Sequence, residues 1–230
     1  ASISDYCYTW QKDCWISLTS SNIRNIKSNV ILLTGPRGSG KFYLANNLAK
    51  WLLCNNPNNI DDFQVPCGKC RSCVWKDSNS HPDYYDVNAN SNISASEKSS
   101  KKIKSNIKID DIRELNVFLS LQSSLSRPKV VVINNIDKLT DAVANSLLKP
   151  LESYPIYTIL LSDNYNYILP TIRSRSQRWH ININYDDNMK KWLLSELGEE
   201  HKDKLKLYWY ISGGAPLSLL DAYKSDKLSE

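Results

Sequence analysis

Residues 30–41 read Val30-Ile31-Leu32-Leu33-Thr34-Gly35-Pro36-Arg37-Gly38-Ser39-Gly40-Lys41. The first five form a short apolar run with β-branched members, the signature of a buried strand. The next seven match G-x-x-x-x-G-K. In that pattern the glycines let backbone N–H groups close around phosphate oxygens, and the lysine neutralises charge on the outer phosphates. Beyond it, Leu44, Ala45, Leu48, Ala49 and Leu52 recur at three and four residues and give one apolar helix face. Strand, phosphate loop and helix in this order predict an α/β fold with a parallel sheet.

The same alternation continues downstream. The first helix is expected to end near Cys54, before Asn55-Asn56-Pro57. Residues 55–66 read as a polar loop. Residues 88–106 are rich in Ser, Asn and Lys and read as a surface insertion; a solvated loop accounts for Lys101, Lys102 and Lys104 as readily as nucleic-acid contact does. A helix is expected from about Asp111, with Glu114 completing a capping-box pattern. Lys129 to Ile133 reads as a strand buried on both faces. Thr140 caps a helix bearing Ala144, Leu147, Leu148 and Leu151, and Thr158 to Leu161 is another buried strand. A short helical stretch near Ile168 leads to a last strand, Trp179 to Ile183. Beyond residue 184 three helices are expected, from Met189, Trp192, Leu193 and Leu197, from Leu205, Tyr208 and Trp209, and from Pro216 to Tyr223.

Composition limits the functional classes. The 230 residues are 41% hydrophobic and 10% aromatic, enough for a packed core and against wholesale disorder. No run approaches the roughly 18 apolar residues of a membrane span, and no secretory pattern opens the chain, so a cytoplasmic protein without membrane contact is expected. The chain begins at Ala1, which reads as a processed or trimmed start. A net charge of +5 is compatible with nucleic acid without demanding it.

The phosphate loop lacks the parts that hydrolysis needs. Position 42 is Phe, where a hydroxyl would bind Mg²⁺. Ile133 is followed by Asn134-Asn135, where carboxylates would hold the metal and polarise water. Asp137 lies two residues further on, past the expected strand end and aimed elsewhere. Gly35, Gly38, Gly40 and Lys41 are therefore expected to hold a phosphate or nothing, without turning over ATP in cis.

Cys67, Cys70 and Cys73 have C-x2-C-x2-C spacing. Three thiolates do not close a structural tetrahedral zinc site; Cys54 is the best fourth ligand and His81 the next. An iron–sulfur cluster or plain buried thiols are the alternatives. Cys7 and Cys14 read as ordinary buried thiols. Arg173, Arg175 and Arg178 fall within six residues. They read either as a solvated basic loop or as a source of positive charge for a phosphoryl group on another subunit.

The order Gly-Lys loop, Cys54…Cys67-x2-Cys70-x2-Cys73, His81-Pro82-Asp83, Ala144-Asn145-Ser146-Leu147-Leu148-Lys149-x-Leu151-Glu152 and Ile172-Arg173-Ser174-Arg175 resembles the bacterial clamp-loader subunits of DNA polymerase III. The resemblance runs from about Trp10 to about Leu220. It implies an AAA+ domain over 1–184 with a zinc module at about 54–80, a three-helix lid over 185–230, and a C-terminal collar domain that this sequence lacks, as a fragment or a short member would. Cys54, Cys67, Cys70 and Cys73 would bind Zn²⁺. Arg175 would be the arginine of a Ser-Arg-Cys motif that reaches a neighbour's ATP site, with Ser176 in place of Cys. Leu217 stands where an active member has a nucleotide-sensing lid arginine, and Pro150 interrupts a helix where the family has another residue. The implied partners are ATPase subunits of gamma/tau type and a delta subunit, with primed DNA and the sliding clamp reached through the assembly. An active P-loop ATPase, or a zinc-dependent nucleic-acid module supported by Lys69, Arg71 and Lys76, are the competing readings.

Overall fold

In a computed structural model that describes residues 3–20, 22–25, 29–87, 107, 109–125 and 127–225, the chain runs through α1 (Lys12–Ser20), β1 (Asn29–Thr34), α2 (Lys41–Leu53), β2 (Asn58–Ile60), β3 (Phe63–Val65), α3 (Arg71–Asp77), β4 (Tyr84–Asp86), α4 (Ile109–Ser120), β5 (Lys129–Ile133), α5 (Asp141–Ser153), β6 (Ile156–Ser162), α6 (Pro170–Arg173), β7 (Gln177–His180), α7 (Asp187–Leu197), α8 (Leu205–Ile211) and α9 (Pro216–Lys224). Strands β4, β5, β6, β1 and β7 pair in that order, all parallel.

The strands without polar alternation take the middle of this sheet. β5 and β6 are buried at every position because helices cover both faces. On one face Ile31, Leu33, Val132 and Ile159 pack with Leu18 of α1 and Leu44 and Leu48 of α2. On the other, Leu32, Val131 and Leu160 pack with Leu115 of α4 and Leu147 of α5. Because all five strands point the same way, the residues just after them converge at one end of the sheet. Gly35 follows β1, Asn134 follows β5, Asp163 follows β6 and Ile181 follows β7. Gly35 N–H bonds Ser162 O at 3.3 Å and Ile181 N–H bonds Thr34 O at 2.8 Å. The phosphate loop lies at this end.

Several local expectations need correction. Residues 55–66 are not all loop. They contain the antiparallel β2–β3 hairpin, whose Phe63 and Val65 are buried against the core. α4 starts two residues before Asp111, so Asp111 lies inside the first turn, and Glu114 Oε2 accepts Tyr85 O–H at 3.3 Å. α5 runs through Pro150 to Ser153, although the proline forfeits one backbone donor. Thr140 caps α5 as expected, its side chain accepting Val143 N–H. The last strand ends at His180, so Ile181 and Ile183 pack from the segment after it. The expected insertion at 88–106, with Lys101, Lys102 and Lys104, lies outside the described residues. Beyond residue 184, α7, α8 and α9 share a core of their own around Leu193, Trp209 and Leu219, against which Trp10 and Ile183 also pack. Among the described residues no helix is long and apolar enough to cross a membrane.

Ile159 sits fully buried in the central strand. Ile159→Ala is expected to lower the unfolding free energy by about 2–5 kcal/mol. Urea unfolding reads this directly, and a loss below about 1 kcal/mol would mean that the β6 core is not packed as described.

Candidate functional site

The phosphate loop is closed by groups of the chain itself. Lys41 heads α2 with its ammonium turned back under the loop and only 7% of the residue exposed. Its Nζ donates to Gly35 O at 2.7 Å and Pro36 O at 2.9 Å, and pairs with Asp163 Oδ1 at 2.7 Å. Burial pulls the Lys41 pKa below its ordinary value, and the hydrogen bond and charge of Asp163 oppose that pull. The remaining loop carbonyls are held from outside. Ser218 Oγ donates to Arg37 O at 3.2 Å, and Leu217 N–H donates to Gly38 O at 3.1 Å. Ser39 O accepts both Trp10 Nε1–H at 2.9 Å and Gln11 Nε2–H at 2.7 Å.

These approaches need the glycines. Gly38 has φ +81°, and a Cβ there would fall 2.2 Å from Ser218 Oγ and 2.7 Å from Ser218 N. Gly40 has φ +79°, and a Cβ there would meet the Tyr8 ring at 2.7 Å. The G-x-x-x-x-G-K pattern here lets α9 and the Tyr8–Gln11 segment lie directly on the loop.

Phe42 and Asn134-Asn135, the residues at the expected Mg²⁺-binding positions, follow the loop lysine and the end of β5. The Phe42 side chain offers no oxygen and is 47% exposed. Asn135 N–H bonds the Asn134 side-chain oxygen at 2.9 Å, so that amide closes a local turn. Asp137 was expected to aim elsewhere. Instead its Oδ1 accepts Asp163 N–H at 3.3 Å, and its charge reaches Lys41. It thus supports the residue that pairs with the lysine.

The arginine segment follows α6. Arg175 is exposed, and its Nη1 donates to Thr171 O at 3.1 Å. Arg173 and Arg178 lie over the Tyr165 ring at 5.2 and 4.0 Å, and Arg178 Nε also donates to Thr34 Oγ1 at 3.2 Å. Arg178 is thereby tied to the end of β1, and Arg175 stands at the domain surface. Leu217, expected in place of a nucleotide-sensing arginine, has its backbone on Gly38.

The structure brings the four expected cysteines together. The sulfurs of Cys54, Cys67, Cys70 and Cys73 lie within 4.8 Å of one another. Cys54 and Cys70 sulfurs are 3.9 Å apart, and Cys67 and Cys73 sulfurs 4.0 Å. Tetrahedral bonds of about 2.3 Å would set sulfurs roughly 3.8 Å apart, so the cage fits one metal ion such as zinc. Backbone N–H groups already point at the sulfurs, Cys67 N to Cys54 Sγ and Cys70 N to Cys67 Sγ, both at 3.3 Å. The Cys73 thiol and the N–H groups of Cys67 and Asn56 draw Cys54 down to about 5, whereas Cys73, as donor to Cys54 and by burial, is pushed up. His81, the alternative ligand, is engaged elsewhere: Nε2 meets Ser72 Oγ at 2.7 Å and Nδ1 accepts Asp83 N–H at 3.0 Å. Cys7 and Cys14 are buried free thiols, pushed up to about 12 by burial.

Asp163 and the Tyr8–Gln11 segment escaped the reading of the sequence. Asp163 carried a usable signal, since the residue after the strand beside β1 must fall next to the loop. Nothing local marks Trp10 or Gln11, whose contacts with the loop span 28 residues or more.

Comparison with known proteins places this geometry. The family described as "DNA polymerase III, delta subunit" matches residues 10–184. The chain is 31% identical to DNA polymerase III subunit delta' of Pseudomonas aeruginosa, over 92% of this chain and 60% of that protein. It is 29% identical to the subunit delta' of Escherichia coli strain K12, over 95% of this chain and 61% of that protein. The chain thus spans about three-fifths of the length of these curated relatives. Among solved structures, a DNA polymerase III gamma subunit-related protein from Thermotoga maritima superposes with a TM-score of 0.57 at 21% identity, over 94% of this chain and 60% of that one. Thermotoga maritima RuvB gives a TM-score of 0.55 at 15% identity, over 97% of this chain and 63% of that one. These two likenesses establish an AAA+-like fold.

Asp163→Asn keeps the shape of the side chain and removes its charge. It leaves a buried ammonium with carbonyl partners only, so a stability loss of about 1–3 kcal/mol is expected by urea unfolding. No loss would mean that the ion pair does not hold the loop.

Proposed function

Because this chain belongs to the DNA polymerase III delta-subunit family, we propose that it is a non-hydrolysing clamp-loader subunit, a stator that lends an arginine to the ATP site of a neighbouring ATPase subunit. The observation that carries this reading is the closed phosphate loop: Lys41 is engaged by Asp163 and two loop carbonyls. A nucleotide would have to displace Asp163 from the lysine. With Phe42 and Asn134-Asn135 in the expected metal-binding positions, the carboxylates left near the loop are Asp163, paired with Lys41, and Asp137, which accepts Asp163 N–H. The same residues argue against the rival reading as an active P-loop ATPase.

Arg175 is the group available for work on a partner. It sits at the end of a four-residue helix opened by Pro170, which presets the backbone at the first helical position. The Thr171 carbonyl accepts one guanidinium N–H at the domain surface, and a guanidinium has the donor geometry that phosphoryl oxygens accept. Residues 1–184 act as the AAA+ domain and 185–230 as the lid, whose last helix closes on the loop. The expected neighbours are ATPase subunits of gamma type and a delta subunit, as the delta' names of the relatives suggest. Primed DNA and the sliding clamp are met through the assembly. Zn²⁺ in the four-cysteine cage is structural: every ligand position is taken by a thiolate, and sulfurs in contact leave room for a single ion rather than a multi-iron cluster.

Two measurements test the reading. In an assembly of the full-length protein with its ATPase subunits, Arg175→Ala should cut DNA-stimulated hydrolysis at the site it serves by about 10³-fold or more. The total rate should fall by that site's share, and an unchanged rate removes the trans role. Elemental analysis should find one zinc per chain, and Cys54→Ser should weaken its retention during dialysis against a chelator. A metal-free native protein of unchanged melting temperature would refute the structural role.

A further inference from the structure

Cys54 and Asn55 lead from α2 into the cysteine cage, and each of their carbonyls carries a guanidinium. Arg24 Nη2 donates to Cys54 O at 2.5 Å, and Arg127 Nη2 donates to Asn55 O at 2.9 Å. Two cations therefore sit on the two successive carbonyls that lead into the cage, one of them the carbonyl of a ligand cysteine.

Both arginines are held where they are. Arg24 lies over the Trp51 ring at 5.3 Å, and its own carbonyl accepts Tyr157 O–H at 2.7 Å. Neither arginine pairs with a carboxylate among the described residues. Their charges repel each other, whereas those of Cys54 and Cys70 favour Arg24. Two partly buried cations without a carboxylate need a negative partner. A divalent ion ringed by four thiolates is a dianion and supplies one.

We propose that Arg24 and Arg127 are positioning residues of the metal site. They balance the charge of the tetrathiolate and hold the carbonyls of Cys54 and Asn55, which set the course of the chain into the cage. This rests on the zinc reading given above. The sequence gives no hint of it, because Arg24 and Arg127 lie 30 and 72 residues from the carbonyls they hold.

The test measures zinc affinity of the whole chain by competition with a chelator. Arg24→Met with Arg127→Met keeps much of the side-chain bulk and removes the charge, and should weaken zinc binding about 10–100-fold. Lysine at both positions should recover most of the loss. Should the double variant not fold, Arg127→Gln against Arg127→Lys gives the same contrast at one position. Unchanged affinity in the methionine pair, or an equal loss in both pairs, overturns the proposal and leaves the zinc reading standing. A wild-type chain that binds no zinc overturns the zinc reading itself.

Discussion

A buried ammonium must find negative charge nearby, and in this chain Lys41 finds it in Asp163. The constraint is severe because burial alone disfavours the charged lysine. In a nucleotide-binding loop the phosphates meet that need. Here a carboxylate at the end of β6 meets it, with the carbonyls of Gly35 and Pro36 completing the shell. The loop's remaining carbonyls accept bonds from α9 and from the Tyr8–Gln11 segment, so the loop joins three parts of the molecule.

The framework around that joint stands independently of it. The sheet, its strand order and the convergence of strand ends do not depend on phosphate. They depend on apolar strands sandwiched between helices, as in β5 and β6. Once those are in place, Arg175 is carried to the surface at the end of α6 whether or not the loop binds anything. The four-cysteine cage is a separate local device. It brings the end of α2 to α3, with Ser72 donating to Leu53 O at 2.7 Å as a second tie.

The legible parts of the sequence were those with strong local periodicity or fixed spacing. The central strands, the helix after the loop, the cap at Thr140 and the cysteine cage all follow from residues near one another in the chain. What stayed hidden was short or distant. β4 has three residues, and only Asp86 among them is buried. The β2–β3 hairpin turns at Asp61, whose φ of +49° no obvious Asn-Gly or Asp-Gly pair announces. Asp163, Trp10, Arg24 and Arg127 act across the fold, where pattern reading has no purchase. At Asp137 the sequence misled, since distance from the strand end did not keep its charge away from the lysine.

Equilibrium titration of the isolated chain with Mg²⁺ and ATP in a calorimeter tests the self-filled loop most directly. The account predicts no saturable heat up to about 1 mM nucleotide, which corresponds to a binding free energy weaker than about −4 kcal/mol. Stoichiometric binding in the micromolar range that is lost in Lys41→Ala would contradict it.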